Sequence, residues 1–401
     1  MSSTAAQIPT GHNVMRVEYL QKNLSIASVS VRVNDDSPNP PLAQQLPNPQ
    51  PVLLFMGPAV AGLIAFSMVG ILIRVHMSRL FRYPGQPIYE LIWTQMVGCF
   101  IMGVATRTKG MLMSLSPALN LGITTGLCGS ITTFSSWQLG IYNEFFNVAG
   151  SDHTKFKNFL GGMSVLATTF ACSVAAVRLG QIVGDEARSL CNYYLTRNFS
   201  SDDNPMCRID TRMLGGEAAS VRDGWFGWSK WRPVDFILVV AGIIGIAAAT
   251  IVISLAPNTR SVSIALLFGP IGTFLRWKLS LLNAHHRRLD RVLPKAIVSL
   301  RLPLGTLIVN VGGTIVLAVI YIFQTGVVVR PSFASCYVLA AMAGGFCGCL
   351  TTVSTFVVEL GMLRSRVAML YSAASIVAAQ ASFVLIVGIY FETSSVNYPT
   401  C

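Results

Sequence analysis

Charge is what this sequence has least of. Aspartate and glutamate together number 17 in 401 residues, and charged residues of both signs make up 11%. Soluble domains carry about 25% charged residues, so this scarcity, beside a 52% hydrophobic share, excludes an ordinary soluble domain. It leaves an all-α polytopic membrane protein. The formal charge of +12 raises the question of nucleic acid. The basic residues sit in short loops between apolar spans, as flanking charges of a membrane protein do, and no basic-aromatic groove is visible, so no nucleic-acid partner is expected. Histidine is also sparse, with five residues in the tail or loops, and Cys347-Gly348-Cys349 has no further ligands nearby to hold a zinc-type metal. Cys99, Cys128, Cys172, Cys336, Cys347 and Cys349 fall inside apolar spans, where a thiol acts as a small hydrophobe, so no disulfide framework is expected. No basic-then-apolar start marks a cleaved signal peptide. Acids are missing from mid-span: Glu90, Asp235 and Glu359 lie near span ends.

What is present is a glycine- and hydroxyl-rich stretch, residues 344–359, inside an apolar span. Gly348 removes bulk where helices touch, and Thr351, Thr352, Ser354 and Thr355 place hydroxyls where hydrocarbon belongs. In a bilayer such groups are tolerated where protein or a watery path receives them, which reads as a lining for something polar. The alternative is small-residue glue between helices. A second copy at 126–137, with Gly129, Thr132, Thr133, Ser135 and Ser136, favours the lining.

Residues 1–51 are polar and proline-studded, the composition of a disordered tail. Apolar spans follow near 52–75, 88–106, 117–140 and 159–182, then a charged connector over 183–232, a lone span at 234–255, and four more near 260–282, 302–323, 333–358 and 367–391, with a short tail at 392–401. That makes nine crossings. The two blocks of four, 52–182 and 257–391, repeat each other around a linking helix at 233–256. Gly70…Arg74 matches Gly272…Arg276, Gln95 before Gly98 matches Asn310 before Gly313, and the Thr-Thr motifs close the series in the same order. One crossing between two four-span blocks inverts the second relative to the first. Lys278, Arg287, Arg288, Arg291, Lys295, Arg301, Arg364 and Arg366 mark one side as cytoplasmic, which places the N-terminus inside and the C-terminus outside. The first block, with Arg79 and Arg82 facing out, decides nothing.

These residues resemble one family, the dual-topology fluoride channels, named CrcB or Fluc in bacteria and FEX in eukaryotes. The resemblance spans 52–391 and is carried by Gly272…Arg276, the run 305–313, and Thr351-Thr352-Val353-Ser354-Thr355-Phe356 with Glu359. It is closest to the fused eukaryotic type, a single chain working as a pseudo-dimer. It implies a passive fluoride-export channel, not an enzyme, that protects the cell from fluoride. It also implies a structural sodium ion held by backbone carbonyls of Gly129, Thr132, Gly348 and Thr351, where water is the alternative occupant. Fluoride is small and tightly hydrated, so a path must replace water with donors or electropositive edges. Asn310 offers an amide, Thr355, Ser164, Thr168, Tyr371 and Ser375 offer hydroxyls, and phenylalanine offers its ring edge. Arg74 and Arg276, towards span ends, suit a vestibule or snorkel to headgroups.

The halves have diverged from the family pattern. Where relatives carry two phenylalanines three residues apart, this chain has Phe134 with Trp137 and Val353 with Phe356. Pairing across halves, as the resemblance implies, gives one path with Phe134 and Phe356. The other receives Val353, Trp137 and Gln95 and is degenerate; the side that Asn310 serves is left open. The expectation is a plasma-membrane fluoride channel embedded in the lipid bilayer. A proton-coupled secondary transporter of a small anion is the main alternative, and a lipid-interacting packing protein the third.

Overall fold

The computed structural model describes residues 56–86, 88–152, 154–198, 231–283, 302–324 and 332–390. The two terminal tails and most of the connector lie outside the described residues. Among the described residues every regular element is helical. In chain order they are α1 (Met56–Leu80), α2 (Leu91–Arg107), the short α3 (Lys109–Leu115), α4, α5 (Phe134–Phe145), α6 (Lys155–Asn198), α7 (Pro233–Leu255), α8 (Arg260–Ser280), α9 (Leu304–Gln324), α10, α11 (Ser354–Met362) and α12 (Ser365–Phe383). α4 joins Pro117–Leu121, a π-helical Gly122–Cys128 and Gly129–Ile131. α10 joins Phe333–Ala341, a π-helical Met342–Cys347 and Gly348–Leu350.

Seven helical stretches are long and apolar enough to cross a membrane, and α2, at 17 residues, is a shorter apolar helix. The chain is an all-α polytopic membrane protein. α4 and α5, which share the other expected crossing, are separated by the extended residues Thr132 and Thr133. Single turns of π-helix on the approach to each break widen the spiral by one residue, as happens where a helix is bent to a purpose.

The lone linking helix α7 starts at Pro233, which needs no hydrogen-bond partner at the first helical position. Its start is fastened to the first block. Ser116 donates to the buried Asp235 at 2.5 Å while its hydroxyl oxygen caps the amides of Ala118 and Leu119 at the head of α4. The rest of α7 is mostly exposed and apolar, as a lipid-facing helix is.

Two expectations change here. The connector expected from residue 183 begins later, because α6 runs on to Asn198 as one helix of 44 residues. At 1.5 Å per residue that is about 66 Å, twice the hydrocarbon thickness of about 30 Å. Asp185, Glu186 and Arg188 ride on its continuation, since a helix leaving the bilayer needs no apolar face. Second, Cys336 is disulfide-bonded, while the other described cysteines are free, so one of the thiols read as a small hydrophobe is instead a cross-link.

Candidate ion pathway

The two breaks meet each other. Thr132 and Thr351 share an extended conformation (φ −87°, ψ 147° and φ −91°, ψ 152°), which ends α4 and α10 and leaves the first amides of the next helices without partners in their own chain segment. Each threonine supplies the other half. Thr132 Oγ1 accepts from the Ser354 amide at 3.3 Å, at the start of α11, and Thr351 Oγ1 accepts from the Ser135 amide at 3.1 Å, at the start of α5. Each hydroxyl in turn donates to a carbonyl four residues back, Cys128 and Cys347, both at 3.0 Å. Further bonds join Thr132 with Thr352 (3.2 Å) and Thr133 with Thr351 (3.3 Å). In all of these pairs the number on one segment rises as that on the other falls, so the broken segments pass in opposite senses about a local two-fold.

Gln95 and Asn310 hold the breaks open. The Asn310 amide donates to the Thr352 carbonyl at 3.1 Å and accepts from its N–H at 2.9 Å. Gln95 does the same to Thr133, at 2.8 and 3.2 Å. Both are fully buried. A side-chain amide thus replaces the helical bonds the extended residue forgoes. Gln95, grouped by sequence with the degenerate path, is geometrically the equal of Asn310 at this task.

The arginines are not at an open vestibule, which corrects both readings made of them. Arg74 is 5% exposed and Arg276 3%. Arg74 donates to the carbonyls of Gly348 (2.7 Å) and Gly344, and Arg276 donates to Gly129 (2.6 Å), Thr351 (3.4 Å) and Thr125. Each first-span arginine of one repeat therefore braces the broken span of the other. The glycines are required by this approach: a Cβ on Gly348 would lie 2.6 Å from the Arg74 guanidinium nitrogens. Three of the four expected sodium donors, the carbonyls of Gly129, Gly348 and Thr351, are among those that accept from an arginine. Gly129, Thr132, Gly348 and Thr351 are buried, and their backbone oxygens are hard donors suited to a hard cation. A carbonyl has two lone pairs, so an oxygen that accepts from arginine keeps one for an ion. The donor type suits a hard cation, with the guanidinium groups of Arg74 and Arg276 sharing three of the four oxygens.

Beside this crossing Phe134, Trp137, Val353, Phe356 and Tyr371 are buried in one apolar cluster. Phe134 and Phe356, both fully buried, meet edge-to-face with centroids 5.5 Å apart and an interplanar angle of 68°. Phe356 continues to Tyr371 (5.2 Å), whose hydroxyl donates to Glu359 Oε2 at 2.9 Å. Glu359 Oε1 also accepts from Thr306 (2.6 Å) and Asn283 (3.0 Å). Ser375 donates to the Tyr371 carbonyl at 2.8 Å, one turn along α12, and Thr355 is half-buried nearby in sequence. Trp137 is also fully buried, stands perpendicular to Phe134 at 5.6 Å, and donates its indole N–H to the Val165 carbonyl of α6 at 3.3 Å. Val353 is fully buried in the same cluster as both phenylalanines.

Ser164 and Thr168 do not join either group. Both are exposed on the outer face of α6, and the Thr168 hydroxyl is turned back onto the Ser164 carbonyl. The inward face is one residue later, Val165, Thr169 and Ser173, aligned with Tyr371, Ser375 and Ala379 of α12. The Thr169 hydroxyl is buried with no hydrogen-bond partner, while the buried Ser173 hydroxyl lies against the Cys99 thiol. Glu359 lies near a span end as expected, three residues before the end of α11, and is held there by three donors beside Phe356. The signal for that neighbour was that Glu359 lies three residues after Phe356, on the same helical face.

Comparison with known proteins accounts for the repeat. Residues 61–181 and again 263–389 match the family described as CrcB-like protein, Camphor Resistance (CrcB). Fluoride export protein 1 of Candida albicans is 26% identical over 352 residues, covering 83% of this chain and 80% of that protein. Fluoride export protein 1 of Saccharomyces cerevisiae is 24% identical over 340 residues, covering 78% and 86%. Fluoride-specific ion channel FluC 1 of Staphylococcus aureus is 35% identical over 111 residues, covering 28% of this chain and 78% of that protein. No solved structure matches. Two matches to one family, each covering a block that contains one arginine brace, one amide clip and one broken span, show that this chain belongs to the CrcB family.

Proposed function

We propose that this chain is a fluoride-selective passive export channel, built as two inverted four-span repeats around α7 with nine crossings in all, and with one open path and one closed one. The observation that carries it is the meeting of Phe134 and Phe356, one from each repeat, with the ring of Tyr371 against Phe356. The ring edges present partial positive charge to a dehydrating anion without binding it as tightly as a cation would. Asn310 has a second amide hydrogen to offer and Thr355 adds a hydroxyl, while the Tyr371 hydroxyl, which donates to Glu359, serves to hold that carboxylate beside Phe356. In the other path Trp137 fills the space and Val353 has no ring edge, so the ion finds neither room nor charge. The carbonyls of Gly129, Thr132, Gly348 and Thr351 would hold sodium at the crossing, where it would supply fixed positive charge between the two breaks; removal of sodium by dialysis is expected to lower the thermal stability of the purified protein.

The N-terminus is assigned to the cytoplasm and the C-terminus to the outside of the plasma membrane. Arg82, an obstacle to this orientation, is paired with Glu90 at 2.9 Å and counts for less than a free cation. Tag accessibility in intact cells checks it.

Glu359 favours one second reading, since a carboxylate held among Thr306, Asn283 and Tyr371 is what proton coupling of a small anion would use. Fluoride release from liposomes containing the purified chain separates the two. Rapid efflux without a proton gradient supports the channel, efflux that follows the gradient supports the transporter, and no efflux overturns both.

A further inference from the structure

A cavity of about 640 Å³ lies where the first repeat's α2 and α6 face the second repeat's α11 and α12. Its walls are apolar, with Phe170, Val174, Val357 and Met369 among them, and Arg107, Arg178 and Gln181 stand at one part of its lining. The volume falls within the 300–1,000 Å³ of small-molecule sites. The pseudo-two-fold shows why the space exists. The alignment that pairs Trp137 with Phe356 pairs Tyr142 with Gly361, and the one that pairs Val165 with Tyr371 pairs Val177 with Phe383. On the opposite side of the molecule Tyr142 and Phe383 stack at 5.5 Å and both are buried, so the equivalent crevice is filled by rings. Here Gly361 and Val177 leave it open. The charges are as one-sided as the space: on the filled side Val384 stands where Arg178 would be, and Ile322 where Arg107 would be.

We propose that this crevice holds one anionic phospholipid from the surrounding bilayer, its acyl chain in the apolar part and its phosphate over Arg107 and Arg178. Basic pockets between membrane helices take anionic headgroups in this way. Arg178 has only a neutral partner among the described residues, donating to Gln181 Oε1 at 3.2 Å. Arg107 has Asp185 at 3.4 Å, both about half exposed, a pair weak enough to admit a phosphate. Arg364 and Arg366, exposed at the start of α12, add positive charge to the same end of that helix. None of the residues lining the crevice is one assigned to the ion path.

The test is native mass spectrometry of the full chain, delipidated in detergent and titrated with phosphatidylglycerol or phosphatidylcholine. Phosphatidylglycerol is expected to bind with one tight stoichiometric site, and Arg107→Gln with Arg178→Gln to weaken it by about fivefold for each arginine removed. Gly361→Tyr, which copies the filled side, should abolish that site while leaving both arginines in place. Should Gly361→Tyr fail to fold, the charge variants decide alone. Equal binding of phosphatidylcholine, undiminished phosphatidylglycerol binding in the double glutamine variant, or competition by inorganic phosphate as effective as the lipid would overturn the proposal.

Discussion

Removing one arginine brace should cost more than any other polar substitution in the chain. Arg276→Gln withdraws a buried guanidinium from the carbonyls of Gly129, Thr351 and Thr125, and glutamine is too short and has too few donors to serve all three. Each buried carbonyl left unpaired costs about 1–3 kcal/mol. The Thr351 bond is long at 3.4 Å and contributes least, so the loss is on the order of 4 kcal/mol. Arg276→Lys restores charge but not the planar fork that reaches separated oxygens, and should recover less than half of it. Thermal unfolding of purified variants in a single detergent measures the effect, with a fall of about 5 °C or more expected for glutamine. Arg74→Gln should behave alike, since Arg74 spans Gly348 and Gly344 in the same manner. Wild-type stability in Arg276→Gln, or loss of transport at full stability, would refute the bracing role and return this residue to an electrostatic one.

The amide clips give a matched pair of variants: Gln95→Ala and Asn310→Ala should each destabilise by about 1–3 kcal/mol, because each strands one backbone N–H and one carbonyl, while only Asn310→Ala should also slow fluoride efflux. On α6, Ser164→Ala and Thr168→Ala should leave both melting temperature and efflux unchanged, for both side chains face outward. Thr169→Val should stabilise slightly, since it replaces a buried hydroxyl without a partner by a methyl of the same shape; a loss of stability would mean that the hydroxyl is satisfied by water.

The sequence carried the repeat and the breaks because both rest on residues that have few other uses in hydrocarbon. Glycine beside paired threonines inside an apolar run cannot be ordinary helix, and finding it twice in one order marks a duplication. The pairing of Phe134 with Phe356 came from that register and from the family resemblance; in the structure Phe134 touches both Phe356 and Trp137. The face of α6 was not legible, because Ser164, Thr168, Thr169 and Ser173 supply hydroxyls on adjacent faces of a helix that is apolar nearly all round. Only packing selects between them. Nor was the reach of Arg74 and Arg276: an arginine near a span end snorkels or turns inward according to what the other repeat presents, and that carbonyl cradle belongs to a segment more than 140 residues away. The length of α6 was hidden for a different reason, since hydropathy reports where a helix leaves the bilayer and not where it ends.

The central claim, that fluoride passes through one path lined by a phenylalanine from each repeat, is tested most directly by fluoride efflux from liposomes bearing Phe356→Ile beside liposomes bearing Val353→Ile at equal protein content. Isoleucine keeps bulk and removes the electropositive edge. The account predicts that Phe356→Ile abolishes efflux and that Val353→Ile, in the closed path, leaves it within a factor of about two, with only packing effects of about 1 kcal/mol. Equal loss in the two variants, or undiminished efflux in Phe356→Ile, would contradict it.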